Sequence, residues 1–159
     1  IEALVHPQSL IHAIVGFADG AMMAHLGAPD MRHAIGYALN YPQRVELPVA
    51  RLDLAAVGQM TFAAPDPDRF PALGLARQVM AVRGLSGAVF NAAKEIALDH
   101  FIAQRIRFLD MAALVEATLS RAGAELSLHQ TPGDLQDVLA ADAIGRRIAT
   151  ELAHGWRAG

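Results

Sequence analysis

No cysteine occurs in the 159 residues of this chain, so disulfides and thiolate metal sites are excluded. The same absence fits a reducing compartment, and a cytoplasmic location is the expectation. Lys94 is the only lysine. The remaining basic residues are arginine, the net charge is -3, and no basic cluster is longer than Arg146-Arg147. That distribution gives no electrostatic footprint for nucleic acid. No apolar run reaches the roughly 18 residues needed to span a bilayer, so no membrane partner is expected. The first residues show no basic stretch leading into an apolar one. They begin mid-pattern, at Ile1-Glu2-Ala3-Leu4-Val5, without an initiator methionine, as expected of a piece of a longer chain.

What is present is apolar: 53% hydrophobic against 18% charged, enough for a packed core. The length allows one domain, or two small ones. Residues 10–27, LIHAIVGFADGAMMAHLG, place Asp19-Gly20 between two apolar runs. Asp-Gly predicts a two-residue hairpin turn. That turn pairs Ile14 with His25 and His12 with Gly27, and puts His12, Ile14, Gly16, Met23 and His25 on one face. Neither face is polar, so the hairpin needs covering on both sides.

Pro29 with Asp30 predicts a helix start and Pro42 its stop. From Gln43 to about Asp66 prolines, Gly58 and a strand-like Gln59–Phe62 predict a connecting segment. Beyond Pro67, helices are expected over 71–83, 86–105, 110–122 and 132 to about 154. Gly84 and Gly123 are the expected breaks, Thr131 the expected cap, and Asp142 a candidate second cap within the last helix. The fold class is α+β: an antiparallel hairpin region, an extended connector, then a four-helix bundle.

Four histidines fall in the first 33 residues: His6, His12, His25 and His33. His12 and His25 are diagonal neighbours in the expected register, close enough for a metal pair. The alternative is a hydrogen-bonded histidine at a sheet end. Ser9 and His12 would point to opposite faces of a regular strand, but Pro7 can bend the chain and bring them to one mouth. A nucleophile–base pair is one reading, although no G-x-S-x-G elbow is present; hydrogen bonding to a polar ligand is the other. Asn91 and Glu95 lie one helical turn apart, suited to bonding a neighbouring helix.

Together HPQSLIH, the DG of the hairpin, LGAPDMR, TFAAPDPDRFPALGLA and NAAKEIA resemble the C-terminal part of the 1-deoxy-D-xylulose 5-phosphate reductoisomerase family, from Ile1 to about Ala153. One departure is Lys94, where the family pattern carries a second asparagine. The resemblance implies an NADPH-dependent isomeroreductase of isoprenoid precursor synthesis, by the non-mevalonate route. With a divalent cation, Mn or Mg, such an enzyme converts 1-deoxy-D-xylulose 5-phosphate to 2-C-methyl-D-erythritol 4-phosphate. It implies substrate-binding roles for Ser9, His12, Pro29 and Met31, and a homodimer formed through the catalytic-domain sheet. It divides the chain into 1–42, the end of a catalytic domain; 43–66, a connector; and 67–159, a helical domain. No nucleotide-binding glycine motif, acidic metal cluster or phosphate cradle is legible here, so no cofactor or metal residue is assigned and the chain alone is expected to be inactive. A structural, dimerising module without chemistry is the alternative, and a metal-binding protein using His12 and His25 a third.

Overall fold

A computed structural model describes residues 1–156. It divides into two units, one spanning Ile1–Pro65 and one that begins at Asp66.

The first unit is built around a hairpin of β1 (Ile11–Gly16) and β2 (Met22–Leu26), paired antiparallel. The Asp-Gly pair does form the turn, but within a three-residue loop. Gly20 N–H donates to Phe17 O (3.0 Å), Phe17 N–H to Ala21 O (2.9 Å), and Asp19 Oδ1 accepts from Ala21 N–H (2.9 Å). Gly20 takes φ +88°, a left-handed conformation that glycine adopts without penalty. The extra loop residue changes the expected register. Gly16 faces Met22, Val15 faces Met23, Ile14 faces Ala24 and Ala13 faces His25. A slip of one exchanges faces, so Ile14 and Gly16 leave the His25 face and Ala13 and Val15 join it. A bulge between Ile11 and Ala13 then takes His12 out of the ladder.

Helix α1 (Arg32–Asn40) begins three residues after Pro29, not on it: Met31 holds the N-cap position without a side-chain bond, and Asp30 Oδ1 accepts the Arg32 N–H at 2.9 Å. It ends before a cis Tyr41-Pro42 bond. The connecting segment carries one helical turn that the sequence pattern did not announce, α2 (Leu54–Val57), capped by the Asp53 carboxylate. Gln59–Phe62 forms no strand, but Ala63 bridges Val5 through two hydrogen bonds of 2.8 and 3.0 Å.

The second unit holds α3 (Pro71–Val82), α4 (Ser86–Ile102), α5 (Phe108–Glu125) and α6 (Leu135–His154). Every buried apolar residue of the chain's core lies here, between Leu75 and Ala153. Helices α4 and α6 approach closely because they meet through Ala92, Ala93, Ala97, Gly145 and Ala149; a Cβ on Gly145 would sit 3.1 Å from Val89 Cα. The break at Gly84 is real. Helix α5, however, runs through Gly123, and α6 is unbroken at Asp142, whose carboxylate instead bonds Arg146 at 2.7 Å. The cap of α6 is Asp134, accepting from Gln136 and Asp137 N–H.

Gly84 closes the α3–α4 junction at φ +56°. A Cβ there would lie 2.6 Å from Leu128 O, His129 C and Gln130 O. Leu128 O in turn accepts from Leu85 N–H (2.8 Å) and Ser86 N–H (3.2 Å).

Between α5 and α6 four charges close a ring. Arg121 reaches Glu151 (2.6 Å) and Glu125 (3.9 Å), while Arg147 pairs with Glu125 and with Glu151 (3.0 Å). Arg147 holds the Glu151 carboxyl below its usual range.

Candidate functional site

His6-Pro7-Gln8-Ser9, ahead of β1, forms a turn. Ser9 N–H donates to His6 O at 3.0 Å, with Pro7 at the second position where its fixed φ suits the bend. Ser9 follows with φ +50°, left-handed and uncommon for serine. Such strain marks candidate functional positions.

Two side chains of this turn hold the connector. Gln8 Nε2 donates to Thr61 Oγ1 (2.9 Å), and Gln8 Oε1 accepts from Thr61 N–H (3.2 Å). The His6 ring stacks on Phe62 at 4.6 Å and 13°, with Nδ1 2.9 Å from Thr61 O. A carbonyl can only accept, so Nδ1 carries the proton and Nε2 of the neutral ring is a lone pair; it is buried without a partner. Sequence reasoning missed this grip. The alternation of His6 and Gln8 about a proline was the available signal.

The bulge at His12 re-aims its ring. His12 Nε2 donates to Gly27 O at 3.2 Å, which leaves Nδ1 as the acceptor. His25 lies beside it, 5.7 Å between ring centroids, and His33 beyond, at 6.3 Å. Among the described residues no group of three or more His, Asp or Glu side chains is placed to hold a metal ion. A cleft of about 560 Å³ is lined by His6, His12, Ile14, Met22 and Phe62 among others.

The wall expected from Pro29 and Met31 lies on the loop entering α1. Both are exposed, Met31 at 70%. Asp30 between them is clamped by the Arg32 guanidinium through bonds of 2.9 and 3.0 Å from Nε. That contact holds the Asp30 carboxyl down at about 2. The structure therefore fixes the frame of Ser9, His12, Pro29 and Met31; it gives no contact among their side chains.

Asn91 and Glu95 bond each other (3.0 Å), and Glu95 bonds Arg146 of α6 (2.6 Å). The guanidinium draws the Glu95 carboxyl below its ordinary value. Lys94 is exposed on α4, so the departure from the asparagine pattern leaves the helix packing untouched.

A family model described as the DXP reductoisomerase C-terminal domain matches residues 26–148. The 1-deoxy-D-xylulose 5-phosphate reductoisomerase of Cereibacter sphaeroides is 64% identical over 153 residues, 96% of this chain and 39% of that protein. The corresponding protein of Ruegeria pomeroyi is 64% identical over all 159 residues, 40% of its own length. Among solved structures, the Zymomonas mobilis reductoisomerase in complex with NADPH superposes with a TM-score of 0.83 at 44% identity, covering 98% of this chain and 40% of that one. A reductoisomerase complex with NADPH, fosmidomycin and magnesium gives 0.82 at 35% identity, covering 95% of this chain and 38% of that one. The chain thus spans about 40% of the length of the relatives it matches.

Proposed function

We propose that this chain, which belongs to the DXP reductoisomerase family, supplies the substrate-mouth strand and the helical domain of an enzyme converting 1-deoxy-D-xylulose 5-phosphate to 2-C-methyl-D-erythritol 4-phosphate. NADPH would supply the hydride and a divalent cation, Mg or Mn, the Lewis acidity. The residues here do not fit either group: no described cluster suits a metal, and the sequence has no nucleotide-binding glycine motif. Their ligands are assigned to the part of the enzyme outside this chain, and no chemical step is routed through residues 1–159.

The work left to this chain is binding and orientation. Residues 1–42 form the end of the catalytic domain, 43–66 its connector, and 67–159 a helical domain folded as a four-helix bundle. Ser9 and His12 hydrogen-bond the phosphosugar; Pro29 and Met31 provide its apolar wall. The carrying observation is the His12 bulge. With Nε2–H committed to Gly27 O, Nδ1 of the neutral ring accepts a hydrogen bond from a substrate hydroxyl without competition from a second tautomer. Apolar side chains exposed on both hairpin faces, Val15 and Met23 on one and Met22 on the other, support a homodimer formed through this sheet. A cytoplasmic enzyme is part of the same reading.

The test is kinetic. The purified 159-residue chain should not oxidise NADPH with the phosphosugar and Mg, whereas the full-length enzyme should. Turnover by the isolated chain would overturn the assignment. An inactive full-length protein would favour the second reading, a structural and dimerising module, for which the uncovered hairpin is the supporting feature.

A further inference from the structure

Gly27 is the one buried residue among 1–65. Its N–H donates to Leu10 O (3.0 Å) and its carbonyl accepts from His12 Nε2 (3.2 Å). Its third neighbour is His33, on the first turn of α1. A Cβ on Gly27 would lie 3.3 Å from His33 Nε2 and 3.5 Å from Cδ2. The imidazole edge therefore rests on the face of Gly27 that any other residue would occupy.

That imidazole packs on Gly27 and meets His25 edge-on, 6.3 Å between ring centroids, but its buried nitrogen makes no polar pair. His33 Nε2 is buried and has no hydrogen-bond partner, and an apolar side chain would fill the space without orphaning a nitrogen. What Nε2 does face is the space beside Gly27 that a Cβ would fill, 3.3 Å from where that Cβ would stand. The His33 backbone is itself fixed, its N–H donating to Asp30 O at 3.2 Å.

We infer that His33 is a positioning residue: it backs the Gly27 peptide, and the Gly27 carbonyl sets the tautomer and direction of His12. This deepens the proposed function and rests on the reading of His12 as a substrate-binding group. The chain of action is short, from α1 to Gly27 to the ring. It requires no contact between His33 and the phosphosugar.

The experiment uses the full-length enzyme. His33→Ala should raise KM for the phosphosugar about five- to ten-fold with kcat within about two-fold, the signature of weakened binding. Gly27→Ala should raise KM similarly, because its methyl meets the ring. Gly27→Ala combined with His33→Ala should be much less than multiplicative, since the methyl then enters the vacated space. Nitrogen-15 spectra of the His12 ring should show one Nε2-protonated form in the wild type and a mixture of tautomers in His33→Ala. Multiplicative effects, or a lowered Tm with unchanged KM and an unchanged His12 tautomer, would overturn the inference. If the wild type does not act on the phosphosugar, the functional reading falls, and the His12 tautomer alone decides this one. Should His33→Ala not fold, His33→Leu takes its place, with the same two outcomes.

Discussion

Gly84→Ala should be the most damaging single-methyl change in the helical unit. The added Cβ would stand 2.6 Å from three backbone atoms of residues 128–130, and a backbone cannot rotate away as a side-chain tip would. Holding alanine at φ +56° costs about 1–2 kcal/mol by itself. Relieving the clash moves residues 128–130 and strains the two hydrogen bonds that Leu128 O accepts from Leu85 and Ser86, at about 1 kcal/mol each. The sum is about 3–4 kcal/mol, which for a unit of this size lowers Tm by roughly 12–32 °C. Gly74→Ala is the control. Gly74 lies inside α3 with nothing within 4 Å of its would-be Cβ, so the same methyl should stabilise by about 0.5–1 kcal/mol. Thermal unfolding of the 159-residue chain by circular dichroism at 222 nm reads both. Opposite signs are expected. A Gly84→Ala chain melting within about 3 °C of the parent would refute the argument that Leu128, His129 and Gln130 occupy that space.

In the full-length enzyme His12→Gln should raise KM about ten- to a hundred-fold, the loss of one hydrogen bond to a strongly polar ligand, with Tm nearly unchanged; a lowered Tm with normal kinetics would remove His12 from the site. Stability of the helical unit should fall as pH drops below about 6.5, because burial on α4 depresses the His100 pKa, aided by Arg105 and His154 and opposed by Asp99. The unfolded chain then binds a proton that the folded one refuses, so stability rises with pH through this window, and His100→Phe should flatten the slope measured by urea titration. Asp30 should titrate by carbon-13 NMR near 2, and Arg32→Gln should return it toward 3.8, the value expected without the guanidinium; any native-state support from this contact is present above that value and fades below it.

Much of the architecture was legible because proline, glycine and aspartate act locally. Pro71 begins α3, Gly84 ends the junction, and the apolar stripes of α4 and α5 carry a helical period over many residues. The misreadings have equally local causes. A three-residue loop and a two-residue loop contain the same Asp-Gly pair, and only the backbone distinguishes them; the one-residue difference moved Ile14 and Gly16 to the opposite face. Gly123 did not end α5 because glycine tolerates a helix interior at a cost of about 1 kcal/mol, which packing across Ala122 offsets. For the candidate site, the motif named Ser9, His12, Pro29 and Met31. The bulge at His12, the Gln8–Thr61 grip and the Gly27–His33 contact join residues 6 to 53 positions apart, and no periodicity reports such pairings.

The charge ring between α5 and α6 is half exposed, and pairs of that kind add little to stability. Its arrangement nevertheless restricts how the two helices slide. Arg121 and Glu125 lie one turn apart on α5, Arg147 and Glu151 one turn apart on α6, and the crossed pairs Arg121–Glu151 and Glu125–Arg147 match only in antiparallel alignment. A slip of one helical turn, about 5.4 Å, would set Arg121 against Arg147 or Glu125 against Glu151 and leave the other two charges unmatched. The contact between α4 and α6 sets its register differently, by the fit of Gly145 against Val89, where any Cβ would sit 3.1 Å from Val89 Cα, and by the Glu95–Arg146 pair. Four arginine and glutamate side chains thus act as a ratchet stop, penalising misaligned packings of α5 against α6.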